Sequence, residues 1–276
     1  MKTKLIFKTS LLLLFVILCS FTPKKETSSI LNFTQRFMPV DKNLYADKYE
    51  VSVADYQLFL REKKAENVDC TLLMYDSTAW RDKLGCNEAE VDYYFNHGAY
   101  THCPIVCISH YAANEFCKWL TEKYNANPRK QYKKVIFRLP TEAEYKKAAI
   151  AHYNSTIIYY PWGTNGLYAK GKKLCNFFEL RQEYLDFFES QNSNELKYHE
   201  VMFFPVSPFP VESYKPNPYG LYNMVGNVSE MIQEEHIAMG GSWRSTGYNV
   251  RIHSKEKYDK LSSTVGFRVY MEIIEF

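Results

Sequence analysis

From Pro161-Trp162-Gly163 onward the chain turns into a run of aromatics and turn residues, broken by short apolar stretches such as Asn176-Phe177-Phe178 and Val201-Met202-Phe203-Phe204. A segment of that kind holds few long regular elements, so its half of the molecule must be built largely from irregular backbone. One stretch departs from this pattern. Between Glu179 and Glu195, Leu180, Tyr184, Phe187 and Phe188 recur at helical spacing among charged and polar residues, which predicts a helical insertion packed on its own domain.

The first half carries clearer local signals. Phe37 to Val40 and Leu44 to Val51 read as short strands. Ser52 then opens a helix, with Asp55 three residues on completing a capping box and Val53, Tyr56, Phe59 and Leu60 marking one apolar face. A second helix is predicted from Ser109 to about Lys123, where Ala112, Ala113, Phe116, Trp119 and Leu120 form a packing stripe. The third starts at Thr141, whose hydroxyl and the Glu144 carboxylate form a second capping box, with Pro140 stopping any helix before it. That cap explains the block from Arg138 to Glu144 without giving Glu142 or Glu144 a catalytic role. The expectation is an α+β domain.

No internal repeat or mid-chain linker divides the chain, and 276 residues suffice for one sizeable core. Lys2, Lys4 and Lys8 precede an apolar run from Leu11 to Cys19, which is short for a bilayer span but suits a signal peptide. The organisation expected is therefore an export segment over 1–19, a polar tether over 20–35 and a domain over 36–276. Val16-Ile17-Leu18-Cys19 resembles a lipobox, although Leu18 is bulky for the residue before an acylated cysteine. Lipidation at Cys19, cleavage a few residues later and an uncleaved anchor all stay open. The expected location is the cell envelope, as a periplasmic protein or an outer-membrane lipoprotein, with membrane contact only through an N-terminal lipid.

The 34 Lys and Arg exceed the 31 Asp and Glu only by the three lysines of the export segment. The remaining balance leaves no basic surplus for nucleic acid. Six cysteines follow Cys19, an even count that allows up to three disulfides in an oxidising compartment. Cys103 and Cys107, with His97, His102 and His110 nearby, match no standard zinc spacing.

The blocks Arg138-Leu139-Pro140-Thr141-Glu142-Ala143-Glu144, Gly220-Leu221-Tyr222-Asn223-Met224-Val225-Gly226-Asn227-Val228, Gly240-Gly241-Ser242-Trp243-Arg244 and Gly266-Phe267-Arg268 occur in this order. Together they resemble the formylglycine-generating enzyme (sulfatase-modifying factor) family. The resemblance implies a C-type-lectin-like fold and, in active members, oxidation of a substrate cysteine at a copper-binding cysteine pair that follows Gly-Gly-Ser. This chain departs from that pattern. Trp243 to Tyr248 contain no sulfur, the last cysteine is Cys175, and Ser229 replaces the Trp usual before Glu230. Copper(I) demands soft thiolates, so copper is not expected here.

The resemblance also implies a calcium site at Asn223, Gly226, Val228 and Glu230, two side-chain oxygens and two carbonyls wrapped around a hard cation. A glycine turn whose Asn and Glu bond local amides is the structural counterpart of that reading. Asn176 and Phe177 form half of a weaker second calcium site. Some relatives bind iron through histidines, which draws attention to His236 and His253. A binding face is expected at Trp243, Arg244, Tyr248, Arg251 and His253, with an envelope protein or glycan as partner. Exposed aromatics among the 23 Tyr and 18 Phe would add contact area. The chain reads as a non-catalytic module resembling gliding-motility and secretion lipoproteins; a copper-dependent oxidase and an iron-dependent oxidoreductase are the alternatives.

Overall fold

A computed structural model of the chain describes residues 33–81, 87–153, 158–179 and 207–276. The export segment with Cys19, nearly all of the tether, Cys86 and the helical insertion expected after Glu179 lie outside these residues. Among the described residues no helix is long and apolar enough to cross a membrane.

Strand β1 (Phe37–Pro39) pairs with β2 (Leu44–Asp47), and helix α1 (Val53–Ala65) follows. Short 3-10 turns and the small helix α2 (Glu88–Tyr93) lead to the long helix α3 (His110–Ala126), then to β3 (Lys134–Arg138) and α4 (Glu142–Ile150). The second half carries a two-strand ribbon, β4 (Tyr168–Ala169) with β5 (Lys172–Lys173). It continues through β6 (Ser229–Met231), β7 (Ile237–Met239), β8 (Lys255–Lys257), β9 (Val265–Gly266) and β10 (Tyr270–Glu275).

Both expected capping boxes are present. Ser52 Oγ accepts the Asp55 amide at 3.1 Å while the Asp55 carboxylate reaches back, and Thr141 and Glu144 repeat the arrangement at the start of α4. The Glu144 carboxylate also takes both ends of the Arg138 guanidinium at 2.7 Å, which ties β3 to α4. Glu142 is held by Lys146 and Lys255. Both carboxylates are thus engaged structurally. Replacing Thr141 with Ala is expected to cost about 1 kcal/mol, read from the urea midpoint of purified protein.

The helices bury the faces their spacing assigns to them. Phe59, Phe116 and Trp119 pack at ring separations of 5.3–5.5 Å, and Phe116 meets Phe267 edge-on at 5.5 Å. A second buried cluster surrounds Tyr145, Met224 and Tyr270. The first sheet runs in the order β1-β2-β10-β3, so the C-terminal strand lies between two N-terminal ones, with Tyr270 opposite both Ala46 and Arg138. The second sheet, in the order β8-β7-β6-β9, carries the motif residues, with β6 and β9 parallel.

Irregular backbone between those strands is set by residues at positive φ. Gly240 and Gly241 follow β7 at φ +90° and +72°, and a Cβ on Gly241 would strike the Asn249 carbonyl. The turn throws the chain into a loop that returns only at β8.

Candidate functional site

Two arrangements stand out where these elements meet. The first is a buried polar cage at the foot of β6. Arg268 and Glu230, both fully buried, form a fork: Arg268 Nε donates to both Glu230 oxygens at 3.1 Å and Nη2 to Oε1 at 2.6 Å. The same guanidinium donates to the carbonyls of Asp47 at 3.0 Å and Tyr222 at 2.7 Å. Glu50 is a second buried carboxylate, accepting from Asn223 Nδ2 at 2.9 Å and Asn227 Nδ2 at 3.0 Å. Burial, with the Glu230 charge adding to it, pushes the Glu50 pKa up to about 8 against the pull of Arg268 and the two amides.

Asn223 has a polar atom with nothing to bind. Its Nδ2 also reaches the Val211 carbonyl at 3.1 Å, but its Oδ1 is buried without a hydrogen-bond partner. An orphaned buried oxygen beside a carboxylate is what a hard cation would satisfy. Glu230, expected as the fourth ligand, is instead committed to Arg268, and Glu50 is the carboxylate on Asn223. The weaker site at Asn176 and Phe177 fares differently. Asn176 Nδ2 donates to the Ser207 carbonyl at 2.9 Å, and Lys173 Nζ stands 3.3 Å from the Phe177 carbonyl. The Phe177 carbonyl thus already accepts from a lysine, which is also paired with Glu179.

The second arrangement is a cavity of about 760 Å³ inside the loop after Gly241. Arg244, Tyr248, Arg251 and His253 line it, four of the five residues expected on a binding face. Trp243 does not. Its ring is 2 % exposed, stacks on Trp80 at 5.8 Å and donates through Nε1 to the Ser263 carbonyl at 3.0 Å. Trp243 anchors the loop from the core while Arg244 lies over its ring at 4.7 Å and lines the cavity.

The profile of the Sulfatase-modifying factor enzyme 1-like domain matches residues 32–273. The chain belongs to this family. It is 24 % identical over 249 residues to the formylglycine-generating enzyme of Mus musculus, covering 80 % of this chain and 54 % of that protein. It is 28 % identical over 180 residues to the inactive C-alpha-formylglycine-generating enzyme 2 of Bos taurus, covering 60 % of this chain and 49 % of that one. The chain thus spans about half the length of these relatives. Among solved structures, CarF superposes with a TM-score of 0.50 at 19 % identity, covering 83 % of this chain and 86 % of that one, a likeness of fold alone.

Set within the family, the loop after Gly-Gly-Ser is the informative place. No described cysteine lines its cavity. The described thiols, Cys70, Cys103, Cys107, Cys117 and Cys175, are free and buried. Burial pushes Cys103 and Cys175 up to about 12, and Cys107 and Cys117 upward as well, so these are inert core thiols rather than ready metal ligands. The donors present do not fit copper(I) at this loop. Ser229, where the family usually has Trp, is buried and donates to Glu256 at 2.5 Å.

The two histidines considered for iron are separated. His253 lines the cavity after Gly241, whereas His236 lines another of about 510 Å³ with His110 and Asp76. No group of three or more His, Cys, Asp or Glu among the described residues is arranged to hold a metal. Glu50 and Asp47 were missed by sequence reading. Asp47 ends β2 and Glu50 lies three residues beyond it, neither with a motif around it, and only the distant Arg268, Asn223 and Asn227, or the Arg36 ion pair at 2.8 Å, mark them as buried and partnered.

Proposed function

We propose that the chain is an exported, non-catalytic member of the formylglycine-generating enzyme family, serving as a structural or binding module of the cell envelope. The observation that carries this reading is the cavity after Gly241, whose described lining offers guanidinium, imidazole, hydroxyl and phenol groups but no thiol. A scaffold that keeps the loop while lacking soft ligands has lost the means for cysteine-bound copper chemistry. One relative, from Bos taurus, itself carries the word inactive in its name, which is in keeping with this reading. Export rests on the basic and apolar N-terminus, and the lipid anchor on Cys19. The lectin-like aspect of the fold and the likeness to gliding-motility lipoproteins belong to the same reading.

A structural calcium ion is part of it. Asn223 would hold the ion through its unpaired oxygen, with the Gly226 and Val228 carbonyls and the Glu50 carboxylate, and the ion would supply charge to a cage that pairs two buried acids with one arginine. Without calcium, the raised pKa of Glu50 means that the folded state keeps a proton the unfolded chain gives up. That contribution is complete below the ordinary glutamate pKa of about 4.3 and is lost as pH climbs through about 8. Stability of the calcium-free protein is therefore expected to fall across this window, at up to roughly 1.4 kcal/mol per pH unit, and Glu50→Gln should flatten the fall. Calcium should release a proton on binding, gain affinity with pH and raise Tm.

Metal analysis of purified protein, joined to an assay on a cysteine-containing peptide with copper and oxygen, tests the whole reading. Calcium with no formylglycine product is the expected result. Stoichiometric copper with formylglycine on the peptide would overturn it, as would iron lost in a His253→Ala variant.

A further inference from the structure

Arg251 has a setting that a generic binding face does not require. Its guanidinium carbon lies 4.8 Å from the Tyr159 ring centroid and 4.3 Å from that of Tyr248, so two aromatic faces fix its plane. Its Nε is buried and has no hydrogen-bond partner. An N–H of a cation left in that state is unfavourable until an acceptor arrives. Tyr248 is 73 % exposed, so its ring adds little to the core and much to the arginine.

Two other charged side chains on the cavity wall already have partners within the protein. Lys255 pairs with Glu142 at 2.6 Å, and the Glu256 oxygens accept from the hydroxyls of Ser229 at 2.5 Å and Thr264 at 3.0 Å. Ser242, Ser245 and Thr246 add hydroxyls to the lining. The volume, about 760 Å³, falls in the range of small-molecule sites, roughly 300–1,000 Å³.

We infer that this cavity binds a small sugar acid, with Arg251 taking the carboxylate and the hydroxyl-bearing wall taking the sugar's hydroxyl groups. The inference rests on the binding-module reading and names its ligand class. A guanidinium between two aromatic rings can present its fork to the two oxygens of a carboxylate, and Glu256 on the same wall disfavours a doubly charged phosphate. Glu256 on the wall disfavours a second acid close to the first, which argues for one carboxylate among many hydroxyls over a run of acidic side chains.

Calorimetric titration of the full chain with sodium D-glucuronate, D-glucose, inorganic phosphate and a tetraglutamate peptide tests this. Saturable glucuronate binding is expected, with the other three weaker by roughly tenfold or more. Arg251→Gln should lose roughly tenfold or more in glucuronate affinity, and Tyr248→Ala, which removes only an exposed ring, should weaken binding several-fold at unchanged Tm. Should Arg251→Gln not fold, Tyr248→Ala decides alone. No saturable glucuronate binding, unchanged affinity in the variants, or preference for phosphate or tetraglutamate overturns the assignment. Recovery of glucuronate chemically altered would sink the non-catalytic reading and leave the site standing. Absent binding together with no formylglycine product would remove the site and leave that reading intact.

Discussion

Replacing Arg268 with Met is expected to destabilise the domain by about 3–5 kcal/mol, a large share of the roughly 5–15 kcal/mol that holds a domain together. The loss does not come from one ion pair alone. Glu230 would stay fully buried with no counter-cation, Glu50 would lose the nearest positive charge, and the carbonyls of Asp47 and Tyr222 would lose their donor. Urea unfolding of the purified variant measures the total. The double variant Arg268→Met with Glu230→Gln separates the causes: if the unpaired charge dominates, the double variant is more stable than Arg268→Met. Equal loss in both would assign the effect to the backbone carbonyls and packing. Arg268→Lys should not rescue, because an ammonium cannot span a carboxylate and two carbonyls in one plane.

Trp243→Ala is expected to cost a similar amount, about 3–5 kcal/mol, by leaving a void against Trp80 and an unmatched Ser263 carbonyl. Its second effect is local. Arg244 rests on the Trp243 ring, so removing the ring loosens the loop that lines the cavity. Trp243→Phe keeps the stacked ring while losing the indole donor and should recover more than half of the stability. A thermal melt in which Trp243→Ala matches the parent would show that the ring is not the anchor described.

How far the sequence led depended on how local each interaction is. The capping boxes at Ser52 and Thr141 were legible because every partner lies within three residues. The buried faces of α1 and α3 were legible because a helix repeats its inward face every turn. Four residues of the cavity, Arg244, Tyr248, Arg251 and His253, were legible as a group because they share one loop. Trp243 was misassigned to them because sequence adjacency does not say which side chain of a turn points inward. Glu50 and the commitment of Glu230 to Arg268 were illegible for the opposite reason. Their partners come from segments far away in the chain, and a carboxylate carries no mark of its future burial. The sheet order escaped for the same cause, since nothing in Tyr270 to Glu275 announces that it will pair with both β2 and β3.

That sheet order has a bearing on how the protein comes into being. Asp47 and Arg268 are 221 positions apart, yet they are joined by a hydrogen bond where β2 leads into the cage and β10 begins. Closing so wide a loop is entropically demanding and slow. Until Tyr270 and its neighbours slot in, β2 is bare on one edge and β3 lacks any partner in this sheet, an invitation to intermolecular stitching. A nascent or clipped polypeptide that stops short of residue 270 would therefore be prone to aggregate, and cellular custodians that shield growing chains have a reason to attend to this one until its final strand is in place.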